Sequence, residues 1–269
     1  SNRLEELQIQ RFEVWPTAAV NGTFMAPDNV QWLLAQSPVV TIDRHGILRG
    51  ADISEGTPYT LYCAKDAPAQ WQSSPDQETL ALMSSNPDWV SQSKELHSLA
   101  DSIFSGCRTT HEKVAAVTQW FASGFEYSLT VDVPHKSADR PLRWFLLNRS
   151  AAHCEYFASG ATILLRMAGV PSRYVTGFVV HEKNQFSGEW IARGRDAHAW
   201  CEVWDPESGW QVVDATPASG IPSDGEAASS QQFREYLSNR IQQLRNEWQQ
   251  HGVTLIGQMM SDFMTSPPG

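Results

Sequence analysis

Four cysteines in 269 residues are too few and too widely spaced for a disulfide framework. Twenty Lys and Arg against 30 Asp and Glu give a net charge of −10, with the basic residues scattered. That balance argues against a nucleic-acid partner, because no basic face gathers to meet a phosphate backbone. No apolar run approaches the roughly 18 residues that crossing a bilayer needs, so the sequence has no membrane segment. Internal repeats are absent, and so is an Asp-x-Asp-x-Asp-Gly calcium loop. What the chain does have is apolar bulk, 41% hydrophobic residues with 11 Trp, enough for one main core with appended elements.

The organisation follows from periodicity and punctuation. Residues 1–70 form a β-rich region: Arg11-Phe12-Glu13-Val14-Trp15, Val39-Val40-Thr41-Ile42 and Thr60-Leu61-Tyr62-Cys63 are strand-like, with turns at Asn21-Gly22, His45-Gly46 and Glu55-Gly56. Within it residues 28–37 are expected to form a short helix. Residues 70–88, polar and holding Pro75 and Pro87, read as a linker. Ser91 is the expected cap of a helix carrying Leu96, Leu99, Ala100 and Ile103. Thr109-x-x-Glu112 has the form of a capping box ahead of Val114, Val117, Trp120 and Phe121. Residues 125–129 then leave in extended form. Phe157, Ala161, Leu164, Leu165 and Ala168 make a third apolar face, stopped by Gly169-Val170-Pro171. Strand-like runs follow at 172–180, near 189–192, at 197–204 and at 210–213, the last two joined by a turn over 205–209. Residues 71–220 are thus the main domain. Residues 218–230 read as a second linker, and Phe233, Leu237, Ile241, Leu244 and Trp248 form a helical stripe. That stripe packs back on the domain or serves a dimer contact. Leu255, Ile256, Met259, Met260 and Phe263 suggest a short final helix, so 221–269 is linker plus helical segment.

Cys154, His198 and Asp214 are the residues whose types and order suggest chemistry. A cysteine attacks as the thiolate, which requires an imidazole or another positive potential nearby, and the imidazole requires a partner that fixes its tautomer. Cys154 falls in the first turn of its helix, where free amides and the helix dipole favour a thiolate. The hairpin brings the end of its second strand back to the start of its first, which sets Asp214 beside His198. A zinc site from His153, Cys154, His198 and Cys201 is disfavoured, because an odd separation on one strand points His198 and Cys201 to opposite faces. Cys201, Cys63 and Cys107 read as core or incidental thiols. His153 reads as a residue at the rim of the cleft. Arg173 and Asp196 either pair with each other or line the cleft, and Glu202 shares the His198 face and is expected to hold a neighbouring strand by a polar contact.

Four stretches carry a resemblance: Ala152-His153-Cys154-Glu155-Tyr156-Phe157-Ala158-Ser159, the run from Leu165 to Phe178, Asp196-Ala197-His198-Ala199-Trp200-Cys201-Glu202-Val203-Trp204, and Gly209-Trp210 through Asp214-Ala215-Thr216-Pro217. Together, over residues 96–217, they resemble the transglutaminase core of bacterial transglutaminase-like proteins. The resemblance implies an α+β, papain-like fold in which a helix-borne Cys154 packs on an antiparallel sheet carrying His198 and Asp214. It implies a thioester on Cys154, formed from an amide of a protein or peptide and passed to an amine or to water; the missing calcium loop predicts that this needs no cofactor and no metal. Tyr127 becomes the second oxyanion donor beside the Cys154 amide, with Trp120 and Trp144 as alternatives, and His153 and Trp200 become substrate-cleft candidates. Ala152 departs from the glycine such families often have there. The competing reading is a non-catalytic module that grips a peptide or glycan on the same fold. The opening Ser1-Asn2 and the resemblance suggest an extracytoplasmic domain of a larger bacterial protein.

Overall fold

A computed structural model describes residues 8–16, 22–27, 29–51, 58–65, 74–137, 139–183 and 190–222. The C-terminal stripe from Phe233 and the short helix after it lie outside the described residues. The chain divides into two compact units, Ser1–Thr79 and Leu80–Gly269.

Among its described residues, the regular structure of the first unit is all β apart from the start of one helix. Strands β1 (Ile9–Val14), β2 (Val30–Ala35) and β5 (Tyr59–Ala64) form an antiparallel sheet in the order β1-β5-β2. β3 (Val40–Ile42) and β4 (Leu48–Gly50) form a hairpin. Asp43 closes its turn by accepting from the amides of His45 and Ile47 at 2.8 and 3.0 Å. Phe24, Val30, Leu48, Tyr59, Leu61 and Cys63 pack as this unit's core. The helix expected over 28–37 is instead strand β2. Its backbone groups are satisfied by β5, some thirty positions along the chain, and such a distant pairing overrides local preference.

The expected linker over 70–88 also needs correction, because it contains helix α1 (Gln77–Ser84). Asp76 accepts from the Thr79 amide at 2.7 Å, a side-chain cap, so Pro75 and Pro87 bracket the helix and do not break it. A single turn, α2 (Asp88–Ser91), follows, then α3 (Lys94–Ile103). The cap of α3 is Ser93, which accepts from the Leu96 amide, and not Ser91, whose hydroxyl donates to carbonyls behind it. Helix α4 (Thr110–Ala122) opens with the full capping box of Thr109 and Glu112. Helix α5 (Pro141–Asn148) lies in a stretch to which periodicity assigned no element.

Helix α6 (Cys154–Met167) is the centre of the second unit, buried along almost its whole length. Phe157 on α6 meets Phe121, Phe125 and Phe145 edge-on, at centroid distances of 5.2–6.0 Å. These four rings are the heart of a core that also takes in Leu96, Leu142, Leu146, Ile163, Leu164 and Leu165. Lys113 of α4 reaches the last turn of α6 and donates to the Ala168 carbonyl at 2.8 Å, where a cation suits the helix dipole. On its other side α6 meets an antiparallel sheet of β6 (Ser172–Phe178), β9 (Ala197–Asp205) and β10 (Gly209–Val213), with β9 in the middle. A short pair, β7 (Glu182–Lys183) and β8 (Trp190–Ile191), lies between β6 and β9 in the chain. The second unit is thus α+β, with one helix laid on a three-stranded sheet.

Candidate active site

The sheet alternates, and the alternation sorts the site. Odd residues of β9 face α6: Ala197 and Ala199 cluster with Cys154 and Ala158, while Cys201 and Val203 enter the main core. Even residues, His198, Trp200 and Glu202, alternate with these along the strand. Cys201 therefore turns away from His198, and among the described residues no group of three His, Cys, Asp or Glu side chains could hold a metal.

Cys154 is the first residue of α6, after His153 in extended conformation. Its side chain is 1% exposed, packed with Ala197 and Ala199, the two neighbours of His198 in the chain. The hairpin does the rest. Asp205 accepts from the amides of Glu207 and Ser208, fixing a tight turn that pairs Gly209 with Asp205 and Val213 with Cys201. Asp214 is the next residue, and its Oδ2 lies 2.8 Å from His198 Nε2. Oδ1 accepts from the Thr216 amide at 3.0 Å. His198 Nδ1 is buried, with no hydrogen-bond partner among the described residues. Neutral imidazole in this setting carries its proton on Nε2, held by Asp214, and keeps Nδ1 as a free base.

The electrostatics differ from expectation at the thiol. Burial pushes the Cys154 thiol up to about 12; the Glu155 charge adds to the rise, and hydrogen bonding to the backbone of Ala199 and Glu155 opposes it. Desolvation thus works against the helix N-terminus and favours the protonated sulfur. Burial also acts to raise the Asp214 carboxyl, but its hydrogen bond and charge interaction with His198, helped by Thr216, hold it below the usual range.

The other candidates fall in distinct places. Tyr127 makes a single parallel bridge with Ala152, framed by the Ser128 amide donating to Ala152 and the Ala152 amide donating to Glu126. This pins the Tyr127 segment two residues from the nucleophile, and the Tyr127 ring packs against the Cys154 cluster. Gly220, just beyond Asp214 in the chain, lies flat against that ring, and a Cβ there would overlap it. Trp120 packs on the phenylalanine core, with Arg149 over its ring, and Trp144 stands on α5. His153 is 4% exposed, so it is interior and not a rim residue. Its ring meets Tyr156 edge-on and its Nδ1 lies 3.5 Å from the equally buried Glu155. Arg173 pairs with Glu202 and not with Asp196, which accepts from the Arg193 amide and contacts His181 at 3.1 Å. Trp200 is half-buried, its ring stacked beside that of His198. Glu202 holds the neighbouring strand β6 through Arg173, the kind of polar contact expected of it; sequence reasoning missed its second bond, from Trp200, although the His-x-Trp-x-Glu alternation put all three residues of that strand on one face.

A family model, the transglutaminase-like superfamily, matches residues 97–215. Those residues are a transglutaminase-like domain. A protein-glutamine gamma-glutamyltransferase of Pseudomonas aeruginosa is 34% identical over 118 residues, which are 44% of this chain and 17% of that protein. The bovine protein-glutamine gamma-glutamyltransferase E is 29% identical over 41% of this chain and 16% of its own length. The chain therefore spans only a small part of the curated relatives it matches, and both of these relatives carry enzyme names. Among solved structures, the periplasmic domain of TgpA from Pseudomonas aeruginosa, bound to ethylmercury, superposes with a TM-score of 0.63. It is 25% identical, over 80% of this chain and 77% of its own. The transglutaminase-like domain here thus shares its α+β architecture with a bacterial domain, and the pair His198 and Asp214 lies inside the matched stretch.

Proposed function

We propose that the transglutaminase-like domain transfers the acyl group of a protein or peptide amide through a thioester on Cys154. The observation that carries this reading is the His198 ring, tied to Asp214 through Nε2, with a buried, unpartnered Nδ1 on the strand whose alanines pack the Cys154 side chain. In the first half-reaction Sγ attacks the amide carbonyl carbon while Nδ1 takes the thiol proton. The C–N bond then breaks, and His198 returns the proton to the departing amine, leaving the acyl group on sulfur. In the second, an amine or water attacks the thioester carbon and yields a proton to Nδ1; the C–S bond breaks and the sulfur recovers its proton. Proton transfer of this kind contributes on the order of 10²–10⁴-fold. The Cys154 amide and the Tyr127 hydroxyl would receive the oxyanion. The likeness to the periplasmic TgpA domain supports a site of action outside the cytoplasm.

One observation favours a second reading, a module that binds peptide without catalysis: Cys154 is 1% exposed, so no substrate meets the sulfur without movement of its cover. A blocked glutaminyl-glycine peptide, incubated with and without hydroxylamine, separates the two. Ammonia release that Cys154→Ala abolishes supports catalysis, and hydroxamate formation identifies transfer to amines. Peptide binding with neither product supports the module.

A further inference from the structure

We infer that Trp200 is a positioning residue for the His198 imidazole, and that Glu202 and Gly177 act through it. This rests on the acyl-transfer reading and adds to it the group that sets the plane of the base.

Trp200 is held at both ends of its indole. At the five-membered ring, Nε1 donates to Glu202 Oε1 at 3.2 Å. Glu202 is itself fixed, because Oε2 accepts from Nε and Nη2 of Arg173 at 2.8 and 2.6 Å, and the Arg173 guanidinium lies 3.6 Å over the Trp210 ring. A guanidinium gripped by a carboxylate and stacked on an aromatic face has little freedom left. At the six-membered ring, the indole lies over Gly177 of β6. A Cβ on Gly177 would come within 2.6 Å of Trp200 Cη2 and 3.1 Å of Cζ3. Gly177 is also the strand partner of His198. The absence of a side chain at that one position lets the indole lie beside the imidazole.

The consequence is geometric. The two rings are 25° from parallel with centroids 6.4 Å apart, near the outer limit of aromatic stacking, so the contact adds little attraction. What it supplies is a wall. Among the described residues His198 has one hydrogen bond, to Asp214, and a single hydrogen bond leaves the ring able to swing about it. An indole that cannot move blocks that swing and keeps Nδ1 in one direction. Misplacement by about 1 Å costs on the order of 10²-fold in rate, so such a wall matters more than its contact energy suggests.

The test combines the nitrogen-15 resonances of the His198 ring with the rate of Cys154 alkylation by iodoacetamide at pH 8, in the full chain. Wild type should show the tautomer with the proton on Nε2. Gly177→Ala and Trp200→Ala should give mixed tautomers and alkylation slowed by about 10-fold or more. Trp200→Phe, which keeps a ring and loses the hydrogen bond to Glu202, should fall between, as should Glu202→Gln, and these milder variants decide if Trp200→Ala does not fold. Wild-type tautomer and rate in all folded variants overturn the inference. His198→Ala separates the layers: if it leaves alkylation unchanged, the acyl-transfer reading fails; if it slows alkylation while the Trp200 variants do not, only the positioning role fails.

Discussion

Asp214 binds His198 through one carboxylate oxygen and its own downstream backbone, at Thr216, through the other. The carboxylate is thereby fixed in orientation before it meets the imidazole, and it is kept ionised. Asp214→Asn should retain an acceptor for Nε2–H and lose the charge that stabilises imidazolium, whereas Asp214→Ala loses both. The expected order of acyl-transfer rates is wild type, Asn, Ala, with Ala down by about 10²–10⁴-fold. Steady-state kinetics on a glutaminyl peptide would check the order, and equal rates in Asn and Ala would contradict it.

The buried thiol predicts an alkaline labelling profile. With the Cys154 thiol raised to about 12, iodoacetamide labelling should climb steadily with pH through neutrality, with no plateau in mild acid. Glu155→Gln removes a charge that contributes to the rise and should move the profile toward lower pH. Peptide mass spectrometry resolves Cys154 from Cys201, which burial also raises to about 12. Fast labelling of Cys154 near pH 5 would show that the thiolate is already formed.

His153 predicts acid sensitivity. Burial lowers its imidazole from an ordinary 6.5 to about 4, so between those values the unfolded chain binds a proton that the folded chain refuses. Stability is therefore full above pH 6.5 and is lost as pH falls toward 4, by up to about 3 kcal/mol from this residue. Urea midpoints across that range should fall less steeply in His153→Gln. Equal slopes in the two proteins would rule the residue out as the source.

The phenylalanine cluster predicts a large, purely structural cost. Phe145→Ala opens a cavity where Phe121, Phe125 and Phe157 converge, and should destabilise the second unit by about 3–5 kcal/mol. Thr109→Ala, which removes one half of a capping box, should cost about 1 kcal/mol. Denaturant unfolding measures both, and a smaller loss for Phe145→Ala than for Thr109→Ala would contradict the core described here.

The legible parts of this chain were those whose partners are close in sequence. The capping box at Thr109 and Glu112 is written in four residues. The neighbourhood of His198 and Asp214 follows from one short turn, and the start of α6 from the apolar face behind Cys154. Strand β2 is hard to read because its partner β5 is remote, and α1 because its prolines look like breaks when in fact they flank it. Helix α5 begins after Arg140, which supplies no side-chain cap, so nothing marked its entry except Pro141 at the first turn. The burial of His153 and Cys154 cannot be read locally either, since α6 is enclosed on both sides by helices and strands far from it in sequence.

The His198–Asp214 contact closes only 16 positions of chain, within a hairpin, whereas Cys154 must be brought to it by packing α6 on the sheet. Hairpins close in roughly 1–10 μs, and long-range docking waits on the closure of larger loops. Assembly in time would then mirror the division of roles in space: base and carboxylate would come together first, and the nucleophile would join them only when the core has condensed. A partly folded chain of this kind would hold a proton acceptor with no thiol beside it, so acyl transfer, and not labelling of the thiol, would be the late marker of correct folding.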